Sequence, residues 1–297
     1  MIIGRQEELT EAVLKVMART TDPRLREIMS ALVRHLHAFV REVRLTEDEF
    51  RAATAILGEL GQLTTDSHNE TVLMAGSLGV SSLVCLLNNG ERGATETSQS
   101  LLGPFWRMHS PRVPNGGSIV RSDTPGPPLL VECRVEDRSG RPIAGAEVDI
   151  WHSSPVGLYE NQDPGQAEMN LRGKFTTDAD GRIRFRSVKP AGYPIPTEGV
   201  VGRLLRAQDR HPYRPAHIHA LVFKQGYKTL TSQVYADDDP NLDSDVQFGV
   251  TRALIGRFRR HDEPHPSEPA VAAPWYSLDY TFVMEPGEAR LPRPPIK

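Results

Sequence analysis

Cysteine is nearly absent from this chain. There are two in 297 residues, Cys85 and Cys133, both inside apolar stretches and neither in a CxxC spacing. That excludes a disulfide framework and gives no support to zinc–thiolate chemistry; buried free thiols are expected. A basic excess is also lacking: 35 Lys+Arg stand against 38 Asp+Glu, a formal net charge of -3. Nucleic acid is therefore not the expected partner. The longest apolar runs are broken by Gly, Ser and Asn, so no segment reads as a membrane span. The N-terminal MIIGRQEELTEAV has no secretory apolar core, and a cytoplasmic protein is expected. No GxGxxG opens a helix, so neither a nicotinamide nor a flavin cofactor is expected.

Proline is scarce in one region only. Of 24 prolines, Pro23 alone precedes Gly103-Pro104. The first hundred residues read as helices. Leu25, Ile28, Met29, Leu32, Leu36, Phe39 and Val43 keep to one helical face. Thr46-Glu47-Asp48-Glu49 has the capping-box form and predicts a helix through residue 60. Residues 70–87 are apolar nearly all round, which predicts one helix buried on more than one side. After residue 103, short alternating runs predict strands at 129–136, 146–151, 182–186, 217–223, 230–235 and 277–284. DRSG (137–140) and DADG (178–181) are turn sequences between them. The fold class is thus α+β: a helical N-terminal region, 1–102, followed by an antiparallel β-sandwich, 103–297. The final LPRPPIK reads as an extended arm.

The run RPAHIHALVF (214–223) places two histidines one residue apart in a predicted strand, so His217 and His219 share a face. Such a pair is either packed and hydrogen-bonded or a metal site of one of several kinds, zinc and non-heme iron among them. No Asp or Glu adjoins it. Upstream stand two tyrosines in constrained settings, Tyr159 in SPVGLY (154–159) and Tyr193 in AGYPIP (191–196). The proline after Tyr193 keeps it out of the helical region. Tyrosinate is a hard anionic oxygen donor, suited to a ferric ion. Two tyrosinates with two neutral imidazoles would offset two of its three charges.

GAEVDIWH (145–152) with GLY (157–159), then GYPIP (192–196), then RPAHIH (214–219), and LGPF (102–105) at the head, resemble the intradiol ring-cleavage dioxygenases. The motifs occur in the family's order, and the resemblance runs from the N-terminal helices to the last strand. It implies one non-heme Fe(III) per chain held by Tyr159, Tyr193, His217 and His219. It implies cleavage of a catechol-type ring by O₂ between its two hydroxyl-bearing carbons. It also implies a homodimer formed by the helical region, often around a phospholipid. Arg214 resembles the family arginine that stabilises negative charge on the ring, and Gln233 the glutamine that positions the intermediate. Tyr193 resembles the tyrosine that leaves the metal and takes a proton.

The resemblance places the ring pocket's wall at Leu73 and Gly76, at Leu101, Leu102, Gly103, Pro104 and Phe105, and at Ile195 and Pro196. Phe105 is similar to the hydroxyquinol (1,2,4-trihydroxybenzene) and chlorocatechol branches, and the catalytic region leans toward hydroxyquinol. Gly76 departs from the hydroxyquinol branch, which tends to carry an aspartate there. Catechol or a substituted catechol is the alternative substrate. A β-sandwich binding module, or a zinc or ferrous His-X-His enzyme, is the alternative class.

Overall fold

The computed structural model describes residues 2–65, 68–88, 97, 99–268 and 271–294. The chain divides into two compact units, Met1–Glu59 and Leu60–Lys297. In the first, α1 (Gln6–Met17) packs on α2 (Pro23–Val43). Arg41 ties the two, donating to the Thr10 hydroxyl at 2.7 Å and to the Gln6 carbonyl at 3.2 Å. Asp22 caps α2, its carboxylate accepting from the amides of Arg24 and Leu25, with Pro23 in the first turn. The expected capping box starts α3 (Glu47–Gln62): the Thr46 amide donates to Glu49 and the Glu49 amide donates back to the Thr46 hydroxyl. The α2 stripe Leu25, Ile28, Leu32, Leu36, Phe39 and Val43 is largely exposed in the single chain.

The single helix predicted over 70–87 is two. These are α4 (Glu70–Ser77) and α5 (Val80–Asn88), bent by 76° across Leu78-Gly79. Gly79 takes a φ of +73°, the left-handed conformation that ends helices and that glycine adopts without strain. The burial expectation also fails for α5. It buries no residue, whereas α4 buries Glu70, Leu73, Gly76 and Ser77. An apolar composition without a single period could not tell the two halves apart. No single helix among the described residues is long and apolar enough to cross a membrane.

The strands are β1 (Pro128–Asp137), β2 (Glu147–His152), β3 (Arg172–Thr176), β4 (Arg182–Val188), β5 (Tyr193–Pro194), β6 (Tyr213–Arg214), β7 (His217–Phe223), β8 (Leu230–Ala236), β9 (Ile255–Gly256), β10 (Arg259–His261) and β11 (Trp275–Met284). Helix α6 (Val200–Ala207) lies between β5 and β6. One sheet runs β10-β11-β1-β4 and the other β3-β2-β7-β8-β9; β5 and β6 form a separate ribbon. Two pairings, β1 with β11 and β8 with β9, are parallel, so both sheets are mixed. Strand alternation places Val131, Val135, Phe185, Leu278 and Phe282 of the first sheet against Val148, Ile150, Phe175, Ala220 and Val234 of the second in one core. Both expected turns form. Asp137 and Asp178 each accept backbone amides across their turns. At Gly181, φ is +72° and a Cβ would stand 2.4 Å from the Val135 carbonyl, so only glycine fits. The LPRPPIK arm lies partly outside the described residues; 291–294 carry no regular structure.

Candidate active site

The sheet face turned away from this core carries the site. Cross-strand register puts Arg172 opposite Trp151, Trp151 opposite His219, and His219 opposite Gln233, one row over four strands. His217 and Tyr235 form the next pair on the same face. Between them, Ile218 and Val234 point the other way into the core, so the alternation that builds the sandwich also aims the histidines.

The two Nε2 atoms stand 3.1 Å apart. His217 Nδ1 lies 2.7 Å from the Pro215 carbonyl, which can only accept, so the proton sits on Nδ1 and Nε2 keeps its lone pair. The His219 ring stacks on Trp151, centroids 4.7 Å apart and planes nearly parallel. Burial foremost, then the Arg214 charge, holds His217 down at about 3. Burial foremost, then neighbouring His217, holds His219 well below the ordinary imidazole value. Both rings are therefore neutral, as ligands must be.

Tyr159 enters from the loop after β2. A turn closes there through the Gly157 amide on the Ser154 carbonyl at 2.9 Å. Tyr193 opens β5, directly opposite Arg214 of β6. The two phenol oxygens are 3.5 Å apart and the rings meet edge-on. Tyr193 also lies against His217, with centroids 5.6 Å apart. Burial foremost, then Tyr193, raises the Tyr159 phenol well above its ordinary value. Such a phenol ionises only where a cation compensates it. Donors about 2 Å from one ion are about 3 Å apart at a right angle and somewhat more at wider angles. The 3.1 and 3.5 Å separations match that spacing. Two phenols and two neutral imidazoles, with no carboxylate among them, fit a hard trivalent ion.

Arg214 is buried and held through two of its three guanidinium nitrogens. Its Nε and Nη2 each meet one oxygen of Asp245 at 3.1 Å, and Nη2 also donates to Gln233 Oε1 at 3.0 Å and the Tyr235 hydroxyl at 2.6 Å. The Tyr235 hydroxyl donates to Gln233 Oε1. Gln233 in turn donates to the Leu101 carbonyl at 2.6 Å. Burial, the largest single effect, works against the Arg214 charge, but Asp245, Tyr235 and Tyr193 together outweigh it and keep the guanidinium firmly protonated. Burial likewise opposes the Asp245 anion, and Arg214 with the Gly249 and Gln247 amides outweighs that, holding the carboxyl below its ordinary value.

The expected wall residues fall into two groups. Leu102 packs with Phe105, Trp106, Trp151, Tyr159 and Tyr193. Phe105 lies 4.4 Å from the Tyr159 ring, and a Cβ on Gly103 would be 3.0 Å from His219 Cε1. Leu101 joins through its carbonyl, and Pro104 is half-buried beside Phe105. Leu73 and Ile195 form a second group with Val201, Leu205 and Val246. Gly76 faces Gln247, whose side-chain Cδ would stand 3.0 Å from an added Cβ. Pro196 is exposed and joins neither group.

The family model described as Dioxygenase matches residues 103–286, and one described as Catechol dioxygenase N terminus matches residues 22–96. A hydroxyquinol 1,2-dioxygenase of Rhizobium sp. (strain MTP-10005) is 42% identical over 283 residues, covering 94% of this chain and 95% of the relative. The chain belongs to the intradiol ring-cleavage dioxygenases. A 6-chlorohydroxyquinol 1,2-dioxygenase of Cupriavidus pinatubonensis is 39% identical, over 95% of this chain and 98% of that one. The solved structure of a hydroxyquinol 1,2-dioxygenase from Pseudomonas putida DLL-E4 superposes with a TM-score of 0.87 at 37% identity, covering 95% of this chain and 99% of that one.

As an intradiol dioxygenase the chain is an enzyme, and its α+β class is that of its relatives. Sequence reasoning missed Asp245, Tyr235 and Arg172. Tyr235 was open to detection, two residues after Gln233 in a predicted strand and so on its face. Asp245 lies 31 residues from Arg214 in a loop, where no periodicity links the two. Arg172 begins a strand too short and polar to read.

Proposed function

We propose that this enzyme cleaves hydroxyquinol with O₂ at one ferric ion held by Tyr159, Tyr193, His217 and His219. The observation that carries the reading is the convergence of two phenols and two imidazoles, with oxygens 3.5 Å and nitrogens 3.1 Å apart, on one sheet face. Relatives named for hydroxyquinol support the substrate. Both atoms of O₂ enter the product, 3-hydroxy-cis,cis-muconate, the enol form of maleylacetate.

Fe(III), when bound, supplies Lewis acidity that makes a chelated ring dianion reactive toward O₂. The chain does the rest. Tyr193 Oη would take a proton from a ring hydroxyl and become a neutral phenol. The Arg214 guanidinium, fixed by Asp245 and Tyr235, meets the negative charge that develops on the ring. The Gln233 amide, anchored on the Leu101 carbonyl, orients the oxygenated ring. Phe105, Leu73 and Ile195 wall the ring and exclude water.

Catechol or a substituted catechol is the second reading. It is favoured by Gly76, which offers no carboxylate to a third hydroxyl. The division into a helical dimerisation and linker region, 1–102, and a catalytic region, 103–297, belongs to the same proposal. The exposed apolar stripe of α2 supports a homodimer or a bound phospholipid tail, either of which would cover it. A panel of hydroxyquinol, catechol, chlorocatechols and protocatechuate, with product identification, tests the substrate. Ring-opened muconate from hydroxyquinol at the highest kcat/KM is expected. Greater turnover of catechol overturns the assignment in favour of the second reading.

A further inference from the structure

We propose that Arg172 is a positioning residue that braces the tyrosine side of the site, fixing the Tyr159 ring against Phe105; the inference rests on the reading of Tyr159 as a metal ligand. Arg172 is 1% exposed. Its Nε donates to Glu160 Oε1 at 2.7 Å, and Glu160 is the residue after Tyr159. Its Nη1 donates to the Phe105 carbonyl at 2.6 Å. Phe105 in turn lies against Tyr159, and the guanidinium carbon is 6.0 Å from the Tyr159 centroid. One planar cation therefore joins the backbone that carries the ring wall to the backbone that carries the ligand. Arg107 adds a second donor to the same Glu160 oxygen at 3.2 Å.

Stability alone does not account for this arrangement. Arg172 Nη2 and Glu160 Oε2 are buried with no hydrogen-bond partner among the described residues. A buried ion pair gains little over apolar packing, and orphaned polar atoms lower that gain further. The approach to Arg172 is strained as well. Met169 and Leu171 take φ values of +59° and +58°, which bulky side chains rarely adopt. Their neighbours hold that shape: the Leu171 amide donates to the Ile119 carbonyl at 2.9 Å, and the Asn170 side chain bonds Thr124 and Gln166. Strain kept in place by surrounding structure gathers where geometry serves the site. Here it delivers Arg172 to the head of the row that runs through Trp151 to His219.

The test uses Arg172→Lys, Arg172→Met and Glu160→Gln in the full chain. Three readouts are taken beside melting temperature: near-UV circular dichroism of metal-free protein, the visible tyrosinate-to-iron absorption of iron-loaded protein, and kcat/KM. Lysine keeps the charge but cannot reach both partners, so it should fold yet shift the visible band and weaken the aromatic dichroism. Its kcat/KM should fall about 10²-fold, as a misplacement of about 1 Å allows. Methionine should move the same signals further. Glu160→Gln keeps an acceptor for Nε and should move them less. Unchanged band and dichroism in the folded lysine and glutamine variants, with only the melting temperature lowered, would overturn the proposal and leave a structural ion pair. If both Arg172 variants fail to fold, Glu160→Gln decides alone, and unaltered spectra there overturn it. A wild-type protein without the visible band sinks the ligand reading instead, while the metal-free dichroism still reports on the brace.

Discussion

Asp245 grips Arg214 through both carboxylate oxygens, each at 3.1 Å, so the guanidinium paired across from Tyr193 is aimed by a loop residue. The Asp245 carboxylate also accepts the amides of Gln247 and Gly249, which fixes the loop to the arginine. Asp245→Asn keeps the shape and removes the charge. Its kcat/KM should fall by roughly 10²-fold with iron content intact, and stability should drop by about 3 kcal/mol. Arg214→Ala should cost at least as much rate, with lysine rescuing only in part. Steady-state kinetics beside metal analysis checks both; full turnover in the asparagine variant would show that Gln233 and Tyr235 suffice to hold Arg214.

Gly103 stands against the His219 ring with a φ of +74°. Gly103→Ala adds a left-handed penalty of about 1–2 kcal/mol and pushes Cε1 away. Iron should then leave more readily, by about 10- to 100-fold in affinity, the usual cost of disturbing what orients a ligand. Chelator competition measures it. Wild-type retention in this variant would mean that Trp151 stacking alone sets the ring.

His152 is buried, with Nδ1 on the Ser153 carbonyl at 2.7 Å and Nε2 on the Ser187 hydroxyl at 2.6 Å. Burial foremost lowers its pKa from 6.5 to about 4. Between those values the unfolded chain binds a proton that the native state refuses. Stability from this group is complete above pH 6.5 and is lost as pH falls toward 4, by about 3 kcal/mol. His152→Gln can keep both hydrogen bonds and does not titrate. The stability gap between wild type and variant should shift by that amount over this window in urea unfolding; a constant gap contradicts the account.

At Gly76 an aspartate would meet the Gln247 amide before any ring. Gly76→Asp should still raise the hydroxyquinol-to-catechol ratio of kcat/KM, by somewhat under tenfold, about the net worth of a single hydrogen bond. Shortening Gln247 to Ser in the same protein should relieve the crowding and restore any lost stability. An unchanged ratio in a stable double variant leaves Phe105 and Ile195 as the specificity candidates.

Much of the site was legible because chemistry and period coincide. His217 and His219 sit in a strand whose alternate residues, Ile218 and Ala220, are core, so their shared face follows from the sequence. The strand 217–223 was read to the residue, since turn residues bound it on both sides. What escaped depends on contacts between distant segments. Asp245 and Arg172 meet their partners through loops and a five-residue polar strand. The helix read through 78–79 broke because one glycine's left-handed turn outweighed an apolar composition with no clear period.

The visible absorption spectrum of the iron-loaded protein, taken with its metal content, tests the central claim most directly. One ferric ion per chain and a broad tyrosinate-to-iron band, diminished or displaced in Tyr159→Phe, is the expected result. Zinc in protein made under iron-replete conditions, or a colourless ferric protein, would contradict the four-residue site.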